Sequence, residues 1–185
     1  MNKKSINASG LDAGRGSNTQ SIVFSGLLVA TSIIFTRFLG FMAFGGAVRI
    51  SFGGLPIALA GALMGPFCGA MTGIVADVLG ATLFPQGAFF PGFTLTAALS
   101  GLIPGLVLYR RKPSISLIAI SSILSAVICS LILNTFWLTI LLKKGFLVLL
   151  PTRIVSALAI AFIEAILLKV LLTAFRGHFG KTGRA

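Results

Sequence analysis

Long apolar runs, each closed by a glycine-proline break or a basic cluster, set the architecture of this chain. The first covers 21–39, is interrupted only by hydroxyl side chains and Gly26, and carries Arg37 near its end. A Gly- and Phe-rich linker, GFMAFGGAVRISFGG, follows, and then a short run over 55–64 closed by Gly65-Pro66. Proline suits the first position of a helix, so Pro66 opens a third span that reaches Leu83. The fourth covers 92–109, up to the stop Arg110-Arg111-Lys112-Pro113. The fifth covers 114–142 and ends at Lys143-Lys144-Gly145; the sixth covers 149–175. A bilayer core of about 30 Å takes roughly 20 helical residues. The second run is therefore short for a straight crossing unless it takes in part of 50–54.

Runs this continuous exclude a barrel, whose strands are short and alternate. Lipid tolerates only helices or closed barrels, so the pattern predicts an all-α integral membrane protein. Its six transmembrane helices form one bundle, and an even count puts both termini on the same side. Residues 1–20 are polar and rich in Gly, Ser and Asn, which predicts a disordered cytoplasmic tail. A secretory signal would bring its apolar core sooner. The membrane domain then spans 21–175, and 176–185 form a basic cytoplasmic tail.

Composition supports the class. The chain has 185 residues, 56% hydrophobic and 10% charged, where a soluble domain carries about a quarter charged. The formal charge of +12 does not indicate nucleic acid, because the cations sit at the ends of apolar runs and not in a stripe interleaved with aromatics. With the termini inside, Lys3, Lys4, Arg15, Arg110, Arg111, Lys112, Lys169, Arg176, Lys181 and Arg184 lie in the cytoplasm. Arg37, Arg49, Lys143, Lys144 and Arg153 lie outside. This bias satisfies the positive-inside rule. Lys143 and Lys144 suit lipid phosphates, whereas Arg37, Arg49 and Arg153 beside apolar helix ends suit an anionic solute.

Enzymatic chemistry has little to work with. Asp12, Asp77 and Glu164 are the acids and His178 the lone histidine. No metal site, HExxH, GxSxG or acidic pair is present. GKT at 180–182 resembles a P-loop, but the required glycine five positions earlier is Phe175. Cys68 and Cys129 lie within apolar runs and read as small hydrophobes.

Asn134 and Trp137, three residues apart in LILNTFWLTI, share a helix face near the outer end of the fifth span. One reading is an interhelical hydrogen bond with an interfacial tryptophan. The other is a site for a planar heterocycle, with the amide on the ring edge and the indole on its face. Arg153 comes level with this pair, and Arg49 reaches the same mouth from the first outer linker. The uncharged stretch LFPQGAFFPGFT (83–94) lies between the third and fourth spans on the outer side. Its prolines and glycines predict a fixed loop, and Phe89, Phe90 and Phe93, with Thr94, are candidates for pocket wall and lid. A packed hairpin with interfacial Phe is the alternative. Asp77 is an intramembrane acid, a candidate for function or for a structural role held by an arginine or backbone amides, and Glu164 in the sixth span pairs within the bundle or meets another protein. Gly26 and Ala30 form a small-xxx-small pair on the first span.

The block at 48–105, with RISFGGLP and FFPGFTLTAALSGLIPG, resembles the substrate-binding S components of energy-coupling factor (ECF) transporters. Together with NTFWL it is most similar to their folate-specific branch, and the resemblance covers about 21–175. It implies a six-helix bundle in a bacterial cell membrane, binding one vitamin near the outer surface under lid-like loops. It also implies a transmembrane coupling subunit docked on the small-residue face of the first helix, and two cytoplasmic ATPases. ATP is then used by those partners, this chain carries no cofactor, and binding is not catalysis. A folate would offer its pterin to Asn134 and Trp137 and its glutamate carboxylates to Arg49, Arg153 or Arg37. Another vitamin (pantothenate, thiamine or riboflavin) and a membrane scaffold without transport are the alternatives.

Overall fold

In a computed structural model, the structure describes residues 9–43, 48–85, 89–111, 114–142 and 146–182. Helix α1 covers Ser9–Arg37. It begins inside the segment expected to be a disordered tail, because a helix nucleated by an apolar run propagates at one hydrogen bond per added residue. At the other end α7, Phe146–Thr182, continues into the expected basic tail in the same way. Lys143 and Lys144 lie outside the described residues.

The linker after α1 is not wholly irregular. Strands β1 (Phe41–Ala43) and β2 (Val48–Ile50) pair antiparallel, with Met42 opposite Arg49. The ribbon is a local departure within one linker and leaves the helical class of the protein as expected. A non-helical backbone between apolar helices still needs its N–H and C=O groups paired, and a ribbon pairs them.

Helix α2 is Gly54–Met64, α3 Pro66–Leu83 and α4 Pro91–Leu108. Between α2 and α3, Gly65 takes φ 107°, left-handed space that favours glycine, and Pro66 opens α3 as its position predicts. The expected fifth span is one rod in three parts: α5 (Ile115–Ser125), a π-helical segment (Ala126–Asn134) and α6 (Thr135–Leu142). The buried Thr135 hydroxyl donates to the carbonyl of Ser130, five residues back, at 3.2 Å.

Among the described residues, four helical stretches are long and apolar enough to cross a membrane: Pro66–Leu83, Pro91–Leu108, Ile115–Leu141 and Arg153–Ala174. Ser21–Arg37 and Gly54–Met64 are apolar but shorter. At 1.5 Å per residue α2 is only ~16 Å long, about half of a bilayer core. Large apolar side chains such as Phe67, Leu106, Phe162 and Val170 face outward, as they do where the solvent is lipid. The protein is thus an integral membrane protein of packed helices.

Inside, the helices approach backbone to backbone. A Cβ on Gly69 of α3 would stand 2.5 Å from the carbonyl oxygen of Gly101 on α4, and one on Gly61 of α2 would strike the same carbonyl. Small residues permit this in lipid, where close dispersion contact drives association. Leu55, Leu59, Leu108, Ile118, Leu168 and Leu172 form the apolar core between α2, α4, α5 and α7.

Candidate functional site

Trp137 of α6 anchors an aromatic cluster on the start of α4. A Cβ on Gly92 would lie 2.5 Å from indole Cδ2 and 2.6 Å from Cε2. Both atoms of the ring-fusion bond are equally near, so Gly92 lies over the indole face and not against its edge. The indole Nε1–H donates to Thr96 Oγ1 at 3.3 Å, and the Thr96 hydroxyl donates to the Gly92 carbonyl at 3.0 Å. The half-buried indole thereby keeps its one donor paired. Phe90, which precedes the helix-opening Pro91, packs on Trp137 at 5.4 Å between ring centroids. Phe93 meets Phe90 edge-on at 6.0 Å, and Phe136 meets Trp137 at 5.1 Å.

Asn134 closes the π-helical segment one turn before Trp137 and is half-buried. Its amide has no hydrogen-bond partner among the described residues. Arg153 opens the long apolar stretch of α7, the helix on which α6 packs. Its Nε is buried without a hydrogen-bond partner among the described residues. Phe89 is exposed.

Other expected site residues are elsewhere. Arg37 folds over α3, where a Cβ on Gly80 would stand 3.2 Å from its Nε. Phe38 and Phe84 cap the same end of α1 and α3, 5.3 Å apart. Arg49 sits in β2, at the register position opposite Met42. Thr94 donates to Asp77 Oδ2 at 2.7 Å. At about 100° per residue, Thr94 and Thr96 occupy opposed faces of α4, so Thr94 belongs to the α3 contact and not to the Trp137 cluster. Residues 86–88 of the expected lid lie outside the described residues. Thr96 and Gly92 were not singled out in the sequence; the i, i+4 spacing of a hydroxyl and a glycine in an apolar helix is the signal that would have found them.

Gly26 and Ala30 are exposed on α1, and a Cβ on Gly26 would meet nothing within 4 Å. With Val23, Leu27 and Ile34 they form an open apolar stripe. A groove of about 750 Å³ runs between the start of α5 and the end of α7. It is almost entirely apolar and opens sideways towards lipid, so it lacks the convergent polar groups that orient a ligand.

The chain matches the family model of the ECF transporter substrate-specific component over residues 20–172. It is 36% identical over 147 residues to the folate transporter FolT of Clostridium novyi, covering 80% of this chain and 84% of that one. To the folate transporter FolT of Leuconostoc mesenteroides it is 28% identical over 148 residues, covering 76% and 78%. It is also similar to a crystal structure of FolT bound with folic acid, with a TM-score of 0.76, 31% identity and coverage of 83% of this chain and 92% of that chain.

Proposed function

We infer the function from one premise: the chain belongs to the substrate-specific components of ECF transporters. It is the folate-binding subunit of an ECF importer and not an enzyme. The observation that carries the substrate is the likeness, over most of both chains, to transporters named for folate and to one holding folic acid.

The site chemistry supports a pterin beside Trp137. The Asn134 amide, free of partners among the described residues, offers donor and acceptor to the ring edge. Arg153, with Arg49 and Arg37 as further candidates, answers the two carboxylates of the glutamate tail. One indole face is already covered by Gly92 and Phe90. A folate ring therefore stacks on the opposite face or displaces Phe90, which makes Phe90 and its neighbours Phe89 and Phe93 the movable wall.

Among the described residues, the four long apolar stretches and the two shorter ones, read with the cation bias, support six crossings with both termini in the cytoplasm. Relatives from bacteria support a bacterial plasma membrane. The open stripe through Gly26 and Ala30 supports docking of a transmembrane coupling subunit there. Two cytoplasmic ATPases, using ATP outside this chain, then complete the importer.

Trp137 is the sole tryptophan, so binding beside it is readable directly. Folate quenches the intrinsic fluorescence of the purified protein saturably, and Asn134→Ala weakens binding tenfold or more, as for a lost hydrogen bond to a polar ring in a desolvated site. Quenching by another vitamin but not folate moves the assignment to that vitamin. No response to any vitamin, in fluorescence and in calorimetry, leaves a membrane scaffold.

A further inference from the structure

A second polar site lies in the core of the bundle. A cavity of about 40 Å³ opens where α2, α4, α5 and α7 meet, and Glu164, Ser100, Ser121 and Ser125 converge on it. Ser121 is 0% exposed. The hydroxyl oxygens of Ser121 and Ser125 are buried with no hydrogen-bond partner among the described residues. The Glu164 carboxylate lies against the start of α2, where a Cβ on Gly54 would stand 3.0 Å from Oε1. No basic side chain among the described residues pairs with it. Pro104, another wall of the cavity, has no N–H, so the carbonyl of Ser100 loses its helical donor. The Ser100 hydroxyl is turned to the Ala97 carbonyl, 2.8 Å away. The α-to-π change begins directly after Ser125, and such changes are frequent at functional sites.

We propose that this cavity is a site for a small monovalent cation, Na⁺ by its size and ligand type, held by the Glu164 carboxylate, the Ser121 and Ser125 hydroxyls and the Ser100 carbonyl. All four are hard oxygen ligands, which suit hard cations and not the metals that histidine and thiolate select. No group of three or more His, Cys, Asp or Glu exists among the described residues, so a transition metal lacks its ligands. One carboxylate balances one positive charge, and a divalent ion would leave an uncompensated charge in low dielectric. The volume exceeds the 10–15 Å³ or so that one small occupant needs. A water molecule would satisfy hydroxyls but leave the carboxylate charge unbalanced. A proton would neutralise Glu164 but leave the two serine oxygens short of a partner. A single cation answers both, where a proton would need a water beside it, and it ties α4, α5 and α7 together.

The test is thermal unfolding of the purified full chain in detergent, with choline as the only other cation and ionic strength held constant. Na⁺ raises the Tm saturably by ~5 °C, as a ligand that binds only the folded state does. Glu164→Gln abolishes the rise, and Ser121→Ala raises the half-saturating Na⁺ concentration at least fivefold. Should Glu164→Gln fail to fold, Ser121→Ala and Ser125→Ala decide alone. The proposal is overturned by a wild-type Tm that ignores the exchange of choline for Na⁺. It is equally overturned by an unchanged Na⁺ response in the serine variants, which would leave water as the occupant.

Discussion

At the scale of single residues, the Trp137 cluster leaves no room for a side chain at Gly92. Its neighbours are an indole ring and Phe90, both within 2.6 Å of where a Cβ would go. Neither a ring nor the backbone beneath it yields cheaply, and overpacking of this kind costs typically 1–3 kcal/mol. Gly92→Ala is therefore expected to weaken folate binding about tenfold and to shift the Trp137 emission even without ligand, both visible in one fluorescence titration. Thr96→Val is nearly isosteric but leaves the indole N–H without its acceptor, at roughly 1–3 kcal/mol. A Thr96→Val protein with wild-type Tm and wild-type emission would mean that the 3.3 Å contact contributes nothing. The contrast isolates shape from hydrogen bonding in the same ring.

At the scale of elements, α4 separates two jobs. Its Gly92–Thr96 face serves Trp137, and its Thr94–Ala97–Gly101 face serves α3. Thr94→Val should thus lower the Tm by a few degrees, the effect of about 1–2 kcal/mol in a chain of this size, while folate affinity changes less than twofold. A large loss of affinity with an unchanged Tm would return Thr94 to the binding site. Much of this arrangement was legible in the sequence. Pro66 and the Gly65 before it marked a helix start to the residue, and the basic stops marked the ends of the fourth and fifth spans. Trp137 and Phe90 were singled out, and they meet. The division of α4 was not legible, because Gly, Thr and Ala abound on every face of it and only their neighbours tell the faces apart. The ribbon β1–β2 was hidden for a related reason: a three-residue strand gives no period to count. Glu164 could be seen as an intramembrane acid, but the serines around it come from other helices and carry no sequence pattern with it.

At the scale of the whole molecule, the Trp137 cluster and the open face of α1 belong to different surfaces, so the proposed folate site and the proposed docking face can be tested separately. Val23, Leu27, Ala30 and Ile34 recur at i, i+4, i+7 and i+11, so a single face of α1 is apolar and uncovered. The stripe is flat at Gly26 and Ala30, where a partner helix can approach most closely. Ala30→Trp fills that approach without touching α4 or α6. In membranes of cells producing all the importer's subunits, the variant should bind folate as the wild type does but lose co-purification of the coupling subunit and folate uptake. The same uptake assay places the opposite class of defect: Asn134→Ala should retain the assembly and lose only binding. If Ala30→Trp still assembles, the stripe faces lipid alone and the coupling subunit docks on another helix. If it loses folate binding as well, α1 is part of the pocket, and Arg37 at its end, packed over Gly80, is the first residue through which to trace the connection.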